Sequence, residues 1–222
     1  RSSQVKFWRN GIDINTDEEI DKTIITKLRA ELGLFPDDKV LMTLSRLASW
    51  KKVNRAIEAL SKVVNKNPKV KLVIVGDGSE KQKLIDLTNK LGLASNVIFA
   101  GAVQHGDVKQ YYDLADIFLS LYDLSNVGNP LLEAMARGKA IITLNVGDTS
   151  TLIKNNYNGV ILDINQLNEI PKHILKILSD KKYAKRLGEN AKFYAKENFW
   201  TWDDRMKAEL DIVNELYKSW GF

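Results

Sequence analysis

Two basic side chains, Arg46 and Lys51, follow a short apolar run near the start of the chain. Arginine can bind a phosphate through two parallel hydrogen bonds, and lysine supplies a compact positive charge. In open parallel sheets, ligands bind beyond the carboxyl ends of the strands, so a pair placed there suits a diphosphate. The alternative is that both side chains are solvated surface cations.

The segment from Ser125 to Glu133 is rich in glycine and asparagine and leads into a predicted helix. Asn129 followed by Pro130 predicts a helix start with Asn129 as the cap, because proline is favoured at the first helical position. The unpaired N–H groups of such a start can hold an anion. Glu133, one turn later, can accept hydrogen bonds from a sugar diol, or alternatively form an ion pair with Arg137.

Composition excludes several other kinds of site. The 222 residues include no cysteine, which excludes a thiol nucleophile, a disulfide framework and a cysteine-ligated metal. The two histidines, His105 and His173, are far apart, which disfavours a histidine-rich metal site. No G-x-G-x-x-G follows the first predicted strand, so an NAD-dependent dehydrogenase is disfavoured.

The net charge of +5 indicates a solvated basic surface or a preference for an anionic ligand. A nucleic-acid partner is not expected, because aromatic and basic residues do not alternate as in single-strand binders. No apolar run approaches the roughly 20 residues that span a bilayer.

Short apolar runs alternate with helical patterns along most of the chain. This alternation predicts an α/β fold, a Rossmann-like parallel sheet of about six strands with helices on both faces. A capping box at residues 79–82 and Gly92 predict the two ends of one helix, residues 107–110 the start of another, and Gly138 the end of a third. The predicted strands are residues 40–44, 72–75, 97–100, 117–121, 140–144 and 160–162.

Three regions are expected. Residues 1–19 are polar and irregular and are interpreted as an interdomain linker, residues 20–199 as the α/β domain, and residues 200–222 as a C-terminal amphipathic helix. An apolar stripe of this kind packs on the protein's own core or on a neighbouring domain. Its members are Trp202, Met206, Leu210, Val213, Leu216, Tyr217 and Trp220.

Five motifs in a specific order resemble the carboxyl-terminal half of the group-one, family-four retaining glycosyltransferases, and the resemblance covers nearly the whole chain. It implies one half of a GT-B fold, the donor-binding domain. The motifs are Asn10-Gly11-Ile12-Asp13, Leu44-Ser45-Arg46-Leu47 with Lys51, Val75-Gly76-Asp77-Gly78, Phe99-Ala100-Gly101, and Leu132-Glu133-Ala134-Met135-Ala136-Arg137-Gly138.

The resemblance also implies residue roles. It assigns the donor diphosphate to Arg46, Lys51, Gly128 and Asn129, and the nucleotide ribose to Glu133, the second glutamate of the family's E-x7-E motif. No metal ligand and no cofactor are implied. The remaining roles are a loop at the donor sugar or phosphate, Ser125, Asn126 and Val127, and a wall beside the base, Phe99, Gly101 and Val103.

The chain departs from the family at the first glutamate of E-x7-E, where it has Ser125. That glutamate contacts hydroxyls of the transferred sugar in the family, so sugar recognition is expected to differ here. Asn126, Asn129 and Asp123 are the candidate substitutes.

The resemblance implies metal-independent transfer, with retention, from a nucleoside-diphosphate sugar to a glycan or a lipid-linked acceptor. A uridine diphosphate donor is favoured over a guanosine one. An N-terminal acceptor domain is expected to precede Arg1, so this chain alone is expected to be inactive. A cytoplasmic location is expected, with peripheral contact at the inner face of the membrane as an addition.

Two kinds of alternative remain open. One is another enzyme of the same fold, a nucleotide-sugar epimerase or a phosphorylase, although no lysine is marked for the pyridoxal phosphate of a phosphorylase. The other is a non-catalytic nucleotide-sensing or interaction domain, which the serine at position 125 favours.

Overall fold

The structure is a computed structural model that describes residues 10–12, 21–124 and 127–219. Within these residues, strands and helices alternate as the sequence predicts. The strands are β1 Lys39–Leu44, β2 Val70–Val75, β3 Val97–Gly101, β4 Ile117–Ser120, β5 Ala140–Leu144 and β6 Val160–Leu162. The helices are α1 Lys22–Glu31, α2 Asn54–Val64, α3 Lys81–Lys90, α4 His105–Leu114, α5 Asn129–Ala136, α6 Thr149–Leu152, α7 Ile170–Ser179, α8 Lys181–Asn198 and α9 Trp202–Ser219.

All neighbouring strands pair in parallel, in the order β3-β2-β1-β4-β5-β6. The expected Rossmann-like sheet is therefore confirmed. The order reverses between β1 and β4, so the loops that follow these two strands turn away to opposite sides. A crevice opens at such a reversal, beyond the carboxyl ends of the strands.

Helices cover both faces of the sheet, which explains why the strands are apolar at nearly every position. Successive residues of β1 show this: Leu41 packs with α2, α3 and α7, whereas Met42 packs with α1, α4 and α5. Both side chains are fully buried. Helix α8 contributes to both clusters, through Leu187 on one face and Ala191 on the other.

The predicted starts of α3 and α4 are wrong. The capping box at residues 79–82 does not form, because α3 begins at Lys81 and no side chain caps it. The Glu80 N–H instead donates to the carbonyl of Leu47, at 3.0 Å. Helix α4 begins at His105, ahead of the predicted start at 107–110. The predicted ends are confirmed, since Gly92 and Gly138 follow α3 and α5 with left-handed backbones.

The described part of the N-terminal region is held on the domain. The Ile12 N–H donates to the carbonyl of Trp200 at 3.0 Å, and the Ile12 side chain is 2% exposed. Gly11 forms an isolated parallel bridge with Trp200. Residues 10–12 therefore join the α1, α4 and α5 side of the core next to the segment that leads into α9.

The predicted C-terminal helix forms α9, and it begins at Trp202 rather than at residue 199 or 200. The described members of its predicted stripe are all more than half exposed, from 52% for Trp202 to 61% for Tyr217. Trp220 lies outside the described residues. Over the ranges that the structure describes, no helix combines the length and the hydropathy needed to cross a bilayer.

Candidate functional site

The loops after β1, β2 and β3 stack on one another at the carboxyl edge of the sheet. The Leu47 N–H donates to the Asp77 carbonyl at 2.9 Å, and the Gly76 N–H donates to the Gly101 carbonyl at 2.7 Å. A Cβ atom on Gly76 would lie 1.9 Å from the Ser45 carbonyl oxygen, and Gly76 has a φ of +127°. Glycine at position 76 therefore lets the second loop support the loop that carries Arg46.

Lys51 lies between two aromatic rings. Its Nζ atom is 4.0 Å from the ring centroid of Trp50 and 4.0 Å from that of Tyr122. Burial lowers the pKa of Lys51, and the charge of Arg46 lowers that pKa further. No carboxylate among the described residues forms an ion pair with Arg46 or Lys51. The structure thus brings two cations together and leaves both charges uncompensated.

The two rings differ in exposure, and we call the pair the aromatic clamp. Tyr122 is 3% exposed and its hydroxyl donates to the Leu44 carbonyl at 2.8 Å, so its ring is fixed against β1. Burial raises the pKa of Tyr122 well above its usual value, so the hydroxyl remains a donor. Trp50 is 37% exposed at the carboxyl edge of the sheet, which we call the carboxyl rim. Lys51 therefore has a rigid ring on one side and a partly solvated ring on the other.

Asp123 ties the loop after β4 to the loop after β1. Its carboxylate accepts from Arg55 at 2.5 Å and pairs with Lys52 at 3.3 Å, while its N–H donates to the Trp50 carbonyl at 3.2 Å. Partial burial opposes ionisation, but the hydrogen bonds and charges of Arg55 and Lys52 outweigh it and lower the pKa of Asp123. This carboxylate is already engaged, which argues against Asp123 as the substitute for the missing glutamate.

Helix α5 starts at the same rim, and its start differs from the prediction. Gly128 is the cap and Asn129 the first helical residue, with no side chain capping the helix. The Asn129 side chain accepts from the Asn10 amide at 3.1 Å. Pro130 has no N–H, and none of the described residues accepts from the N–H groups of Gly128 and Asn129. These two donors are therefore available to an anion.

The segment before this helix is strained. Val127 has a φ of +44°, and a β-branched side chain rarely adopts that left-handed conformation. Such strain is often found at ligand sites. Ser125 and Asn126, which complete the predicted sugar or phosphate loop, lie outside the described residues.

Glu133 faces a buried tyrosine. The Tyr112 hydroxyl donates to Glu133 Oε2 at 2.9 Å and also lies 3.0 Å from the Pro130 carbonyl. Burial and the negative charge of Glu133 raise the pKa of Tyr112, which keeps it a donor. The alternative ion pair of Glu133 with Arg137 is wrong, because Arg137 binds both oxygens of Asp113. The second carboxylate oxygen of Glu133 therefore has no donor among the described residues.

The residues predicted to form a wall beside the base do not share one face. Phe99 packs with the α2 and α3 side of the core, whereas Val103 packs with the α1 and α4 side. Gly101 ends β3, with a left-handed φ of +74° and open space around its Cα. All three are partly exposed at the carboxyl end of an edge strand.

Sequence reasoning missed two side chains that orient predicted ones, Tyr112 and Tyr122. Each lies far in sequence from at least one of the residues it contacts, so helical or strand spacing gives no signal for it. The sequence does point to Trp50, since an aromatic residue beside Lys51 in a polar loop indicates a stacking role. Among the described residues, no three histidine, aspartate or glutamate side chains cluster as metal ligands would.

Comparisons with known proteins agree with one another. The family model described as glycosyl transferases group 1 matches residues 24–193. An uncharacterised glycosyltransferase of Methanocaldococcus jannaschii is 28% identical over 96% of this chain and 53% of its own length. The N-acetyl-alpha-D-glucosaminyl L-malate synthase of Bacillus anthracis is 28% identical over 80% of this chain and 46% of its own length.

Among solved structures, Anabaena Alr3699/HepE in complex with UDP and glucose superposes with a TM-score of 0.85 at 25% identity. The superposition covers 96% of this chain and 58% of that one. The chain thus spans about half the length of the curated relatives it matches.

Proposed function

Because the chain belongs to the group 1 glycosyl transferases, we propose that its carboxyl rim binds the nucleoside diphosphate of a sugar donor. The observation that carries the proposal is the position of Lys51, held in the aromatic clamp beside Arg46 without a carboxylate partner. A diphosphate supplies the negative charge that the described residues do not.

The rim offers three kinds of contact to such a donor. Arg46 can bind a phosphate through two hydrogen bonds, and Lys51 adds a point charge. The N–H groups of Gly128 and Asn129 add neutral donors at the positive end of the α5 dipole. Glu133, held through one oxygen by Tyr112, offers its other oxygen to the ribose hydroxyls.

These contacts also indicate how the rim would promote transfer. When the bond between the sugar and the diphosphate breaks, negative charge grows on the departing phosphate. Preformed cations and N–H groups stabilise that charge without reorganising, which is the largest single contribution in many enzymes. In the proposed reaction Arg46, Lys51 and the start of α5 have this role, with no metal, no cofactor and no covalent protein nucleophile.

We favour a uridine diphosphate donor over a guanosine one. The support is the Anabaena structure, which was solved with UDP and glucose and which superposes on 96% of this chain. We further propose transfer with retention to a glycan or a lipid-linked acceptor, bound by a second domain that lies N-terminal to this one in the whole enzyme. The proposed location is cytoplasmic, or peripheral at the inner face of a membrane.

A second candidate is a nucleotide-sensing domain without chemistry. Serine at position 125, where the family's motif has its first glutamate, favours it. Both candidates require nucleotide binding at the rim, and only the first requires sugar transfer by the whole protein.

Calorimetry with UDP and uridine tests the binding site. Lys51→Met and Arg46→Met should each weaken UDP binding about tenfold, because a charge-assisted hydrogen bond contributes about 1.5–3 kcal/mol. Neither should change uridine binding. Lys90→Met removes the same charge from an exposed position at the end of α3 and should leave both affinities unchanged. Equal affinity of Lys51→Met and the parent for UDP would refute the assignment.

A further inference from the structure

A surface cavity of about 430 Å³ lies at the opposite edge of the sheet from the carboxyl rim. It is bounded by the loop before β6 and by the turn between α7 and α8, which lie at the amino ends of the strands. We call it the amino-edge cavity. Its lining residues are Asn156, Lys176, Asp180, Lys182, Tyr183 and Arg186.

The charge around the amino-edge cavity is positive and unbalanced. Three cations face one carboxylate, and Asp180 uses that carboxylate to accept the Tyr183 N–H at 2.9 Å, as the cap of α8. No described residue forms an ion pair with Lys176, Lys182 or Arg186. The like charges therefore repel one another unless an anion enters.

Two lysines of the same helices that lie outside the cavity do have partners. Lys172 of α7 pairs with Glu169 at 3.5 Å, and Lys185 of α8 pairs with Glu189 at 3.5 Å. Each of these two lysines thus has a carboxylate partner, whereas Lys176 and Lys182 have none among the described residues.

A buried tyrosine organises this group. The Tyr183 hydroxyl donates to Asn156 Oδ1 at 2.6 Å, which fixes the ring between α8 and the loop before β6. Lys176 Nζ lies 4.5 Å from the centre of that ring, and the Arg186 guanidinium carbon lies 5.4 Å from it. Both cations are thus held against one rigid ring by the attraction of a cation to an aromatic face.

We propose that the amino-edge cavity is a second anion site that binds a phosphate group, in a phosphomonoester or a diphosphate. Arginine matches phosphate geometry through two hydrogen bonds, and the two lysines supply flexible point charges. The volume exceeds that of a single ion and lies in the range of small-molecule sites, about 300–1,000 Å³. The site is separate from the carboxyl rim and does not depend on the proposed transfer activity.

Amide chemical shifts of the ¹⁵N-labelled chain, titrated with inorganic phosphate and then pyrophosphate, test the proposal. Saturable shifts are expected at Asn156, Tyr183 and Arg186, whether or not amides of the carboxyl rim also respond. Arg186→Ala and Lys182→Ala should each weaken binding about threefold or more, because solvent screens charge contacts at an exposed site. Lys185→Ala removes the same charge from the same helix outside the cavity and should leave the affinity unchanged.

Vesicle sedimentation, compared with the phosphate titration, identifies the source of the phosphate group. Sedimentation with vesicles of phosphatidic acid and phosphatidylcholine, lost in Arg186→Ala and kept in Lys185→Ala, indicates a lipid headgroup. Saturable phosphate shifts without sedimentation indicate a soluble ligand. Melting temperatures of the variants establish that they fold. Shifts that rise linearly without saturation, or an equal loss in Lys185→Ala, would overturn the proposal.

Discussion

At the scale of single residues, the choice of partner for Lys51 decides what the rim can bind. A carboxylate partner would neutralise the ammonium group and would have to be displaced by an incoming diphosphate. An aromatic face attracts a cation by about 0.5–2 kcal/mol and adds no opposite charge. The aromatic clamp therefore fixes the position of Lys51 while its charge stays available. Asp123 shows the contrast, since its carboxylate pairs with Lys52, the residue after Lys51, and with Arg55.

Replacing Trp50 should weaken diphosphate binding without removing any charge. In Trp50→Leu, Lys51 loses one of its two rings, and we expect UDP affinity to fall about three- to tenfold. Uridine affinity should not change, because the clamp acts only through the cation. Trp50→Phe keeps an aromatic face and should retain most of the affinity. Calorimetry of the three proteins measures this, and identical UDP affinities for Trp50→Leu and the parent would show that Tyr122 alone positions Lys51.

The role of Glu133 can be separated from its contact with Tyr112. We expect Glu133→Gln to weaken UDP binding about tenfold, because an amide has one acceptor atom where the carboxylate has two. The same substitution should affect 2′-deoxyuridine diphosphate much less, since that ligand lacks one hydroxyl of the diol. Binding isotherms for both nucleotides measure the difference. A lowered melting temperature with unchanged affinities would instead make Glu133 a structural partner of Tyr112.

At the scale of elements, packing against α8 helps to set the position of α5. The two helices approach so closely at Gly188 that a Cβ atom there would lie 2.1 Å from the Gly138 carbonyl oxygen. Gly138 follows the end of α5, and the start of α5 forms part of the rim. A change in the distance between the two helices would therefore shift the N–H groups of Gly128 and Asn129.

Gly188→Ala should destabilise the chain by about 1–3 kcal/mol, the usual cost of forcing extra atoms into a packed interface. Gly106→Ala is the matched control, since Gly106 is also helical and a Cβ there meets nothing within 4 Å. Alanine favours the helix, so the control should be neutral or slightly stabilising. Urea denaturation of both variants gives the free energies of unfolding. Equal stability of the two variants would show that α5 and α8 separate easily.

The strands could be predicted from the sequence to within two residues, because helices cover both faces of the sheet and each strand is therefore mostly apolar. The starts of α3 and α4 could not, since a backbone contact such as that from Glu80 to Leu47 depends on the loops around it. Arg46, Lys51 and Glu133 could be singled out by type and spacing. The contacts of Lys51 with Tyr122 and of Glu133 with Tyr112 could not be predicted, because each contact joins residues from separate strands and helices.

At the scale of the whole molecule, the two edges of the sheet differ, and helix α9 carries a series of exposed apolar side chains. The carboxyl edge carries the proposed donor site, and the amino edge carries the amino-edge cavity. Helix α9 exposes Trp202, Met206 and Leu210 by more than half, which is unusual for a series of large apolar side chains on one helix. These side chains contribute little to the stability of the chain on its own, because burial is what makes apolar side chains stabilising.

This chain by itself should fold and bind UDP weakly, yet transfer no sugar. Folding is expected because six strands pair in one sheet whose two faces are both covered by helices. Weak binding is expected because Arg46 and Trp50 are open to water at the rim, where screening reduces charge interactions.

The absence of transfer follows from positioning. Holding an acceptor next to the reacting carbon can provide about 7–11 kcal/mol of the barrier reduction, and the described residues form no second lobe over the rim that could hold one. The measurement is product formation from UDP-sugars with glycan and lipid-linked acceptors, using the purified chain. Calorimetry with UDP on the same sample shows that the rim is intact, so that inactivity cannot come from misfolding. Acceptor-dependent turnover by this chain alone would refute the expectation that a second domain must bind the acceptor.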